Sequence, residues 1–215
     1  MRQSDVMVYL MTGFLDSGKT QFLTFTLEQD YFQIQGKTLL ILCEEGEEEY
    51  DPKEMLKYGV VIEKVEDKED LTEAWLEEMN RKHKPERVVV EYNGMWPVSD
   101  FEKLALPAGW KIEQKIATVD ASTFQMYLTN LKPLFVEMVK GAELVLFNRC
   151  EDKKPLAGYR RSVKVVSPQA EVIFEDENGE VDNIFEDEVP YDLKAPVIEL
   201  SLIHISEPTR PISIS

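Results

Sequence analysis

Short apolar runs alternate along the chain with amphipathic stretches, and the alternation predicts its elements. Val6–Met11 is apolar throughout and closed by Gly13, which reads as a strand buried on both faces. Apolar residues at Phe22, Leu23, Phe25 and Leu27, followed by Gly36, predict a helix from Thr20 ending near residue 32. Thr38–Cys43 is a second buried strand, followed by an acidic loop from Glu44 to Asp51. Pro52–Tyr58 reads as a short helix closed by Gly59, and Val60–Val65 as a third strand. Leu71, Ala74, Trp75, Leu76 and Met79 fall at helical spacing with charge on the opposite face.

The second half repeats the scheme. Arg87–Tyr92 is a fourth strand, and Ile112–Val119 a fifth, longer and partly alternating. Thr123–Val139 carries a helical pattern with a break near Pro133. Leu144–Phe147 is a sixth strand, and Pro155–Val163 is helical with proline in its first turn. Val172–Phe174 and Val181–Ile184 flank Asn178-Gly179, a hairpin signal. Apolar strands alternating with amphipathic helices predict an α/β fold: a mostly parallel, three-layer sheet with helices on both faces. Ligands in such folds bind beyond the carboxyl ends of the strands.

Composition narrows the function. The 215 residues include 24 Lys plus Arg against 41 Asp plus Glu, a net charge of −17, and are 43% hydrophobic. That fraction supports a packed core and excludes an acidic disordered chain. The charge argues against nucleic acid and anionic membrane surfaces as partners, because both are bound through surplus Lys and Arg. A local cationic pocket is still compatible with it. Two cysteines, Cys43 and Cys150, form neither a disulfide framework nor a C-x-x-C pair, so a reducing compartment is expected. His83 and His204 have no metal-ligand spacing. No apolar stretch approaches the ~20 residues of a spanning helix, and no signal-peptide pattern is read, so the expected location is the cytoplasm.

The end of the sequence differs from the rest. Residues 200–215 read LSLIHISEPTRPISIS, and the dense acidic composition stops there. The run Leu200–Arg210 resembles the translation of a sequencing adapter. The expectation is a nucleotide-binding domain over residues 1–199, a non-native segment over 200–215 and a missing C-terminal part. His204 is accordingly left out of any site.

One motif carries specific chemistry. Gly13-Phe14-Leu15-Asp16-Ser17-Gly18-Lys19-Thr20 is a complete G-x-x-x-x-G-K-T between a predicted strand and a predicted helix. The glycines let backbone N–H groups wrap an anion, and the helix N-terminus adds partial positive charge. Lys19 is expected on the β- and γ-phosphates, and the Thr20 hydroxyl on Mg²⁺. The cradle is local and largely backbone, which reconciles a polyanionic ligand with a net charge of −17.

Two further segments come directly after strands. Glu91-Tyr92-Asn93-Gly94 places an acid at a strand end, suited to holding Mg²⁺, with a glycine three residues on suited to approach the γ-phosphate. Asn148-Arg149-Cys150-Glu151 resembles the N-K-x-D motif with which GTPases read guanine, with Arg149 for lysine, Glu151 for aspartate and Asp152 adjacent.

In this order the motifs resemble the CobW-type P-loop GTPases, a family linked to metal insertion and homeostasis. The resemblance runs from about Val6 to Glu199. It rests on GFLDSGKT, Cys43-Glu44-Glu45-Gly46-Glu47 for the family's N-E-x-G-E, the E-x-x-G at Glu91–Gly94, ATVDASTF at Ala117–Phe124, and FNRCED at Phe147–Asp152. Ser167-Pro168-Gln169-Ala170 resembles the later N-P-x-A turn, which implies Ser167 and Gln169 near the base. The resemblance implies GTP and Mg²⁺ as cofactors, with Glu44, Glu47 and Glu91 as metal candidates beside Thr20. The family's G-C-x-C-C motif is replaced by VEDKEDL at Val65–Leu71, so a second, thiolate-bound Zn²⁺ or Co²⁺ loses its ligands.

The implied activity is slow, Mg²⁺-dependent GTP hydrolysis, with Lys19 and Glu91 as the catalytic pair and Asp16 and the 44–49 loop as further candidates for orienting water. The implied partners are a client metalloprotein or transporter and a nucleotide-dependent second copy of the chain. Two alternatives stand beside it: an ATP-using kinase or ATPase on the same scaffold, and a nucleotide sensor with negligible hydrolysis.

Overall fold

A computed structural model of the chain describes residues 5–44, 46, 49–151 and 156–176. Seven strands are present: β1 (Val6–Gly13), β2 (Thr38–Leu42), β3 (Val60–Lys64), β4 (Arg87–Glu91), β5 (Trp110–Asp120), β6 (Leu144–Asn148) and β7 (Glu171–Phe174). They form one sheet in the order β3-β2-β4-β1-β5-β6-β7. Every pairing among them is parallel, so the expected mostly parallel sheet is wholly parallel over the described strands. β2 and β4 are buried at every position, as parallel strands covered on both faces must be.

The helices are α1 (Lys19–Glu28), α2 (Pro52–Lys57), α3 (Glu73–His83), α4 (Val98–Glu102), α5 (Phe124–Asn130), α6 (Lys132–Val139) and α7 (Leu156–Val166). On one face of the sheet, Phe22, Leu23 and Leu27 of α1 and Met55 of α2 pack on Tyr9, Met11, Leu40 and Val89. On the other, α3 and α4 cover Val8, Leu10, Ile41 and Val90. Helices α5 to α7 cover Ala117, Val119, Val145 and Phe147. Each fully buried apolar side chain contributes about 1.5–3 kcal/mol by leaving water. Phe124 sits at the centre of the last cluster, edge-on to Phe135 and Phe147 at 5.1 Å each.

Local chemistry sets the boundaries. Asp51 caps α2 by accepting from the Lys53 and Glu54 N–H groups, with Pro52 in the first turn. Thr72 caps α3 through the Trp75 N–H at 3.2 Å. The predicted break in Thr123–Val139 falls at Leu131, where α5 ends, and Pro133 lies in the first turn of α6, where its missing N–H costs nothing. The helix expected to reach residue 32 stops at Glu28 and resumes as a 3₁₀ turn over Asp30–Phe32. The pattern along the chain did not announce α4. Pro155, the Asn178-Gly179 turn and the strand expected after it lie outside the described residues, as do the 200–215 tail and His204.

Strand order determines which loops meet. β4 lies between β2 and β1, so the carboxyl ends of these three interior strands lie side by side, where the loops after them converge. No described helix is long and apolar enough to cross a membrane.

Candidate nucleotide-binding site

The loop from Gly13 to Gly18 is built so that side chains stay out of its way. A Cβ on Gly13 would fall 2.4 Å from Ser17 Oγ and 2.5 Å from Thr118 Oγ1. Gly18 has φ +86°, and a Cβ there would lie 2.4 Å from Asn148 Nδ2. Ser17 Oγ and Thr118 Oγ1 share a hydrogen bond of 2.9 Å, which pins the loop to β5. Phe14 points away from the cleft and stacks on Tyr127, centroids 4.2 Å apart, so its side chain anchors the loop in the core. Leu15 is exposed, and Asp16 takes φ +57°, a conformation aspartate tolerates better than most residues.

The loop delivers the chain into α1 with its first turn open. No side chain caps it and no acid lies in it. The N–H groups of that turn have no intrahelical partner, which is the ordinary basis of an anion site at a helix N-terminus.

Charged groups gather around this turn. Lys19 is 3% exposed. Its ammonium donates to Gly13 O at 2.9 Å, Phe14 O at 2.8 Å and Glu44 Oε2 at 2.6 Å. Glu44 Oε1 accepts from the Gly94 N–H at 3.3 Å. Gly94 could carry no side chain, since a Cβ would lie 2.2 Å from Gly13 O. Glu91, at the end of β4, is also buried. Its Oε1 accepts from the Thr20 hydroxyl at 2.8 Å and its Oε2 from the Tyr50 hydroxyl at 2.5 Å. Burial pushes the Glu91 carboxyl above its ordinary value, against the pull of the Tyr50 and Thr20 donors and the Lys19 charge. Leu15, Asp16, Gly18, Lys19, Thr20, Glu44, Gly46, Glu91 and Arg149 line one cleft.

At the far end of the cleft, Asn148 Nδ2 donates to Ser17 O at 2.8 Å, while its Oδ1 is buried without a hydrogen-bond partner. Arg149, at φ +53°, donates through Nη1 to Asp16 O at 3.0 Å and to Asp120 Oδ2 at 2.6 Å. Burial alone would raise the Asp120 carboxyl, but donors from Ser122 and Arg149 outweigh it and hold the group below its ordinary value. Glu151 is exposed. Cys150 is a core residue whose thiol burial pushes up to about 12.

The structure therefore brings Gly13 to Thr20, Glu44, Glu91, Asn148 and Arg149 to one cleft. It does not bring Ser167 and Gln169. The turn that holds them precedes β7, and in a parallel sheet that places them at the amino end, away from the phosphate loop. Ser167 is buried there and its hydroxyl donates to Ala142 O at 3.2 Å, beside the start of β6. Gln169 is exposed at the same end. Their expected place beside the base is corrected accordingly. Glu45, Glu47, Glu48 and Asp152 lie outside the described residues.

Tyr50 and Asp120 entered no expectation. Tyr50 is a single aromatic in an acidic run and Asp120 sits inside ATVDASTF, and neither position signals its partner.

The donor set fits one metal and not the other. A threonine hydroxyl and a carboxylate beside a phosphate cradle are the hard-oxygen ligands from which Mg²⁺ sites are made. A thiolate site does not fit. Among the described residues no group of three or more His, Cys, Asp or Glu could hold a metal ion. The thiol nearby, Cys43, is buried and kept protonated, first by burial and then by Glu91 and Glu44. It lies in the wall of a cavity of about 270 Å³ over the ends of β2 and β3, with Lys64, Glu66 and Asn93.

A family model described as the nucleotide-binding domain of CobW/HypB/UreG matches residues 7–174, and the chain belongs to that family. Solved structures share the fold. The hydrogenase maturation factor HypB from Archaeoglobus fulgidus superposes with a TM-score of 0.56 at 19% identity, over 80% of this chain and 81% of that one. The Zn(II)-bound YjiA GTPase from E. coli gives 0.58 at 20% identity, over 89% of this chain. The match spans 60% of the YjiA chain. No curated protein matches the sequence.

Proposed function

We propose that this member of the CobW/HypB/UreG family binds GTP with Mg²⁺ at the Gly13–Thr20 loop and hydrolyses it slowly, in the service of metal delivery or the maturation of a metalloprotein or transporter. One observation carries the reading. The Lys19 ammonium, the Thr20 hydroxyl and the Glu91 carboxylate converge on the uncapped first turn of α1. The family and the GTPase and maturation-factor names of its structural neighbours support the coarser part, nucleotide hydrolysis near metal traffic.

The geometry supports the roles at the phosphate loop, and the resemblance to N-K-x-D supports that of Glu151. Backbone N–H groups of the loop and first turn hold the phosphates, and Lys19 neutralises charge on the transferring group. Thr20 and Glu91 would hold Mg²⁺, which when bound draws charge from the β- and γ-oxygens. Glu91 keeps the Thr20 hydroxyl oriented, and Tyr50 keeps Glu91 oriented. Arg149 ties the phosphate loop to β5, and Glu151 accepts from guanine N1–H and N2–H. A nucleotide-binding domain over residues 1–199, an adapter origin for residues 200–215, a cytoplasmic location and a nucleotide-dependent homodimer belong to the same proposal.

Calorimetric titration with GTP and ATP, each with and without Mg²⁺, tests it. GTP is expected to bind more tightly than ATP by at least about tenfold, and both to weaken without the metal. Tighter ATP binding overturns the guanine assignment. Absence of phosphate release in a single-turnover assay with Mg²⁺ leaves a nucleotide sensor in place of a hydrolase.

A further inference from the structure

We infer that Glu44 is an internal stand-in for the terminal phosphate, and that its displacement sets how the site tells a triphosphate from a diphosphate. The inference rests on the nucleotide site of the proposed function.

An ammonium has three N–H bonds. Those of Lys19 are spent on Gly13 O, Phe14 O and Glu44 Oε2. A phosphate oxygen can join Lys19 only if one of the three leaves. The two carbonyls belong to the loop that forms the cradle and move only if the cradle is rebuilt. Glu44 comes from a different segment, the loop after β2, and its side chain alone has to turn.

The second oxygen of Glu44 makes the substitution specific. Oε1 accepts from the Gly94 N–H. Gly94 is packed directly on Gly13, so its N–H faces the same point as the ammonium. An ammonium and a backbone N–H gripping one carboxylate, with Lys19 3% and Glu44 9% exposed, form a small anion site filled by the protein's own side chain. A γ-phosphate offers the same features: negative charge and two oxygens about as far apart as those of a carboxylate. A diphosphate ends one phosphorus short, so it would offer a partner to Lys19 without needing the Gly94 N–H.

Triphosphate binding therefore expels Glu44. Diphosphate binding leaves it on Gly94. Loss of the γ-phosphate after hydrolysis lets the carboxylate return to the Gly94 N–H, which favours release of phosphate. Glu44 is thus a specificity-determining residue that acts by competition.

The test compares wild type with Glu44→Gln, which keeps the shape and removes the charge. Affinities for GDP and for a non-hydrolysable GTP analogue are measured by calorimetry in Mg²⁺. The variant is expected to bind the analogue more tightly by roughly ten- to hundredfold, the equivalent of one charge-assisted hydrogen bond, with GDP changed less than about threefold. Glu44→Asp, which keeps a charge but is too short to bridge Lys19 and Gly94, should shift the same ratio less. It serves if the glutamine variant does not fold. An equal gain for both nucleotides overturns the inference, since Glu44 would then be a general repulsive charge. A loss for the analogue also overturns it and makes Glu44 a ligand of the bound complex. If wild type itself binds neither nucleotide, the proposed function fails with it. If wild type binds GTP and the ratio does not move, only the inference fails.

Discussion

At the proposed phosphate end of the cleft, Lys19, Glu91 and Tyr50 are buried, Glu44 is partly buried, and every one of them holds another polar group. At the proposed base end, Glu151 is exposed, Arg149 is 45% exposed and Asn148 keeps one buried oxygen without a hydrogen-bond partner. Arg149 lines the same cleft as Lys19, Glu44 and Glu91, but the two ends are prepared to different degrees. The phosphate end is held by its own ion pair and carboxylate network before any ligand arrives, so a ligand there exchanges partners. The base end offers acceptors that a ligand would satisfy for the first time. Binding at the first end should therefore net only the difference between the partners exchanged, while base selectivity rests on the second.

The most damaging way to break that contrast is Lys19→Ala. It removes the ammonium from the cradle and leaves the partly buried Glu44 to turn toward water, so the free protein should lose about 1–3 kcal/mol. Melting curves with and without GTP separate the two effects. Wild type should gain about 2.7 kcal/mol at a hundredfold excess over Kd, and the variant nothing. A full GTP-dependent shift in Lys19→Ala would rule out the phosphate site.

Next comes Tyr50→Phe, which withdraws one donor from a buried carboxylate. Hydrogen bonds to charged groups contribute about 1.5–3 kcal/mol, so a loss of about 2 kcal/mol is expected at neutral pH. The pH dependence is diagnostic. The Glu91 carboxyl is raised above 4.5 in the folded protein. Its contribution to stability is thus fully present below 4.5 and lost as pH rises through the raised value. Without the Tyr50 hydroxyl that value rises further, so the cost of the substitution should be small near about pH 4 and grow toward neutrality. Urea midpoints measured across that range check it, and a pH-independent cost would mean that Tyr50 acts by packing alone.

How much of this was legible beforehand differs between fold and site. The strands were, because a parallel strand buried on both faces is apolar throughout and cannot be mistaken for an amphipathic helix of useful length. The phosphate loop was, because its chemistry is local: glycines, a lysine and a threonine at fixed spacing. Helix α4 was not, since five residues with Val98 and Phe101 inward make less than two turns and no period. The Lys19–Glu44 and Glu91–Tyr50 pairs were not, because they join residues 25 and 41 positions apart, and only the placing of β4 between β1 and β2 makes them neighbours. Ser167 and Gln169 were placed wrongly although the rule needed to place them was at hand. A turn before a parallel strand lies at its amino end, and ligands bind at the other.

Glu151→Ala probes the base end. An exposed carboxylate contributes little to folding, so stability should stay within about 0.5 kcal/mol of wild type. GTP affinity should fall by about tenfold, or about 1.4 kcal/mol, while Mg²⁺-pyrophosphate binding is unchanged. Equal losses for both would mean that Glu151 does not read the base, and the division of labour between the two ends would go with it.

The smallest effect is expected where the ends are joined. Arg149 donates from one Nη1 to the Asp16 carbonyl of the phosphate loop and to Asp120 at the end of β5. Arg149→Lys installs the residue found at this position in N-K-x-D. Its compact ammonium lacks the planar fork and holds one of the two partners well. The pair is partly exposed, so the cost should stay below about 1 kcal/mol. Because the contact acts on the loop and not on the base, GTP and ATP should weaken by the same factor. Asp120 is held below 3.8, so its stabilisation is present above that pH and lost as pH falls through the lower folded value. Arg149→Ala, which removes the donor and the charge together, should therefore bring acid unfolding on at a higher pH than Arg149→Lys does. If the lysine variant changes the GTP-to-ATP ratio instead, Arg149 faces the base, and the boundary between the two ends lies at Asp16, one residue before the loop reaches Ser17.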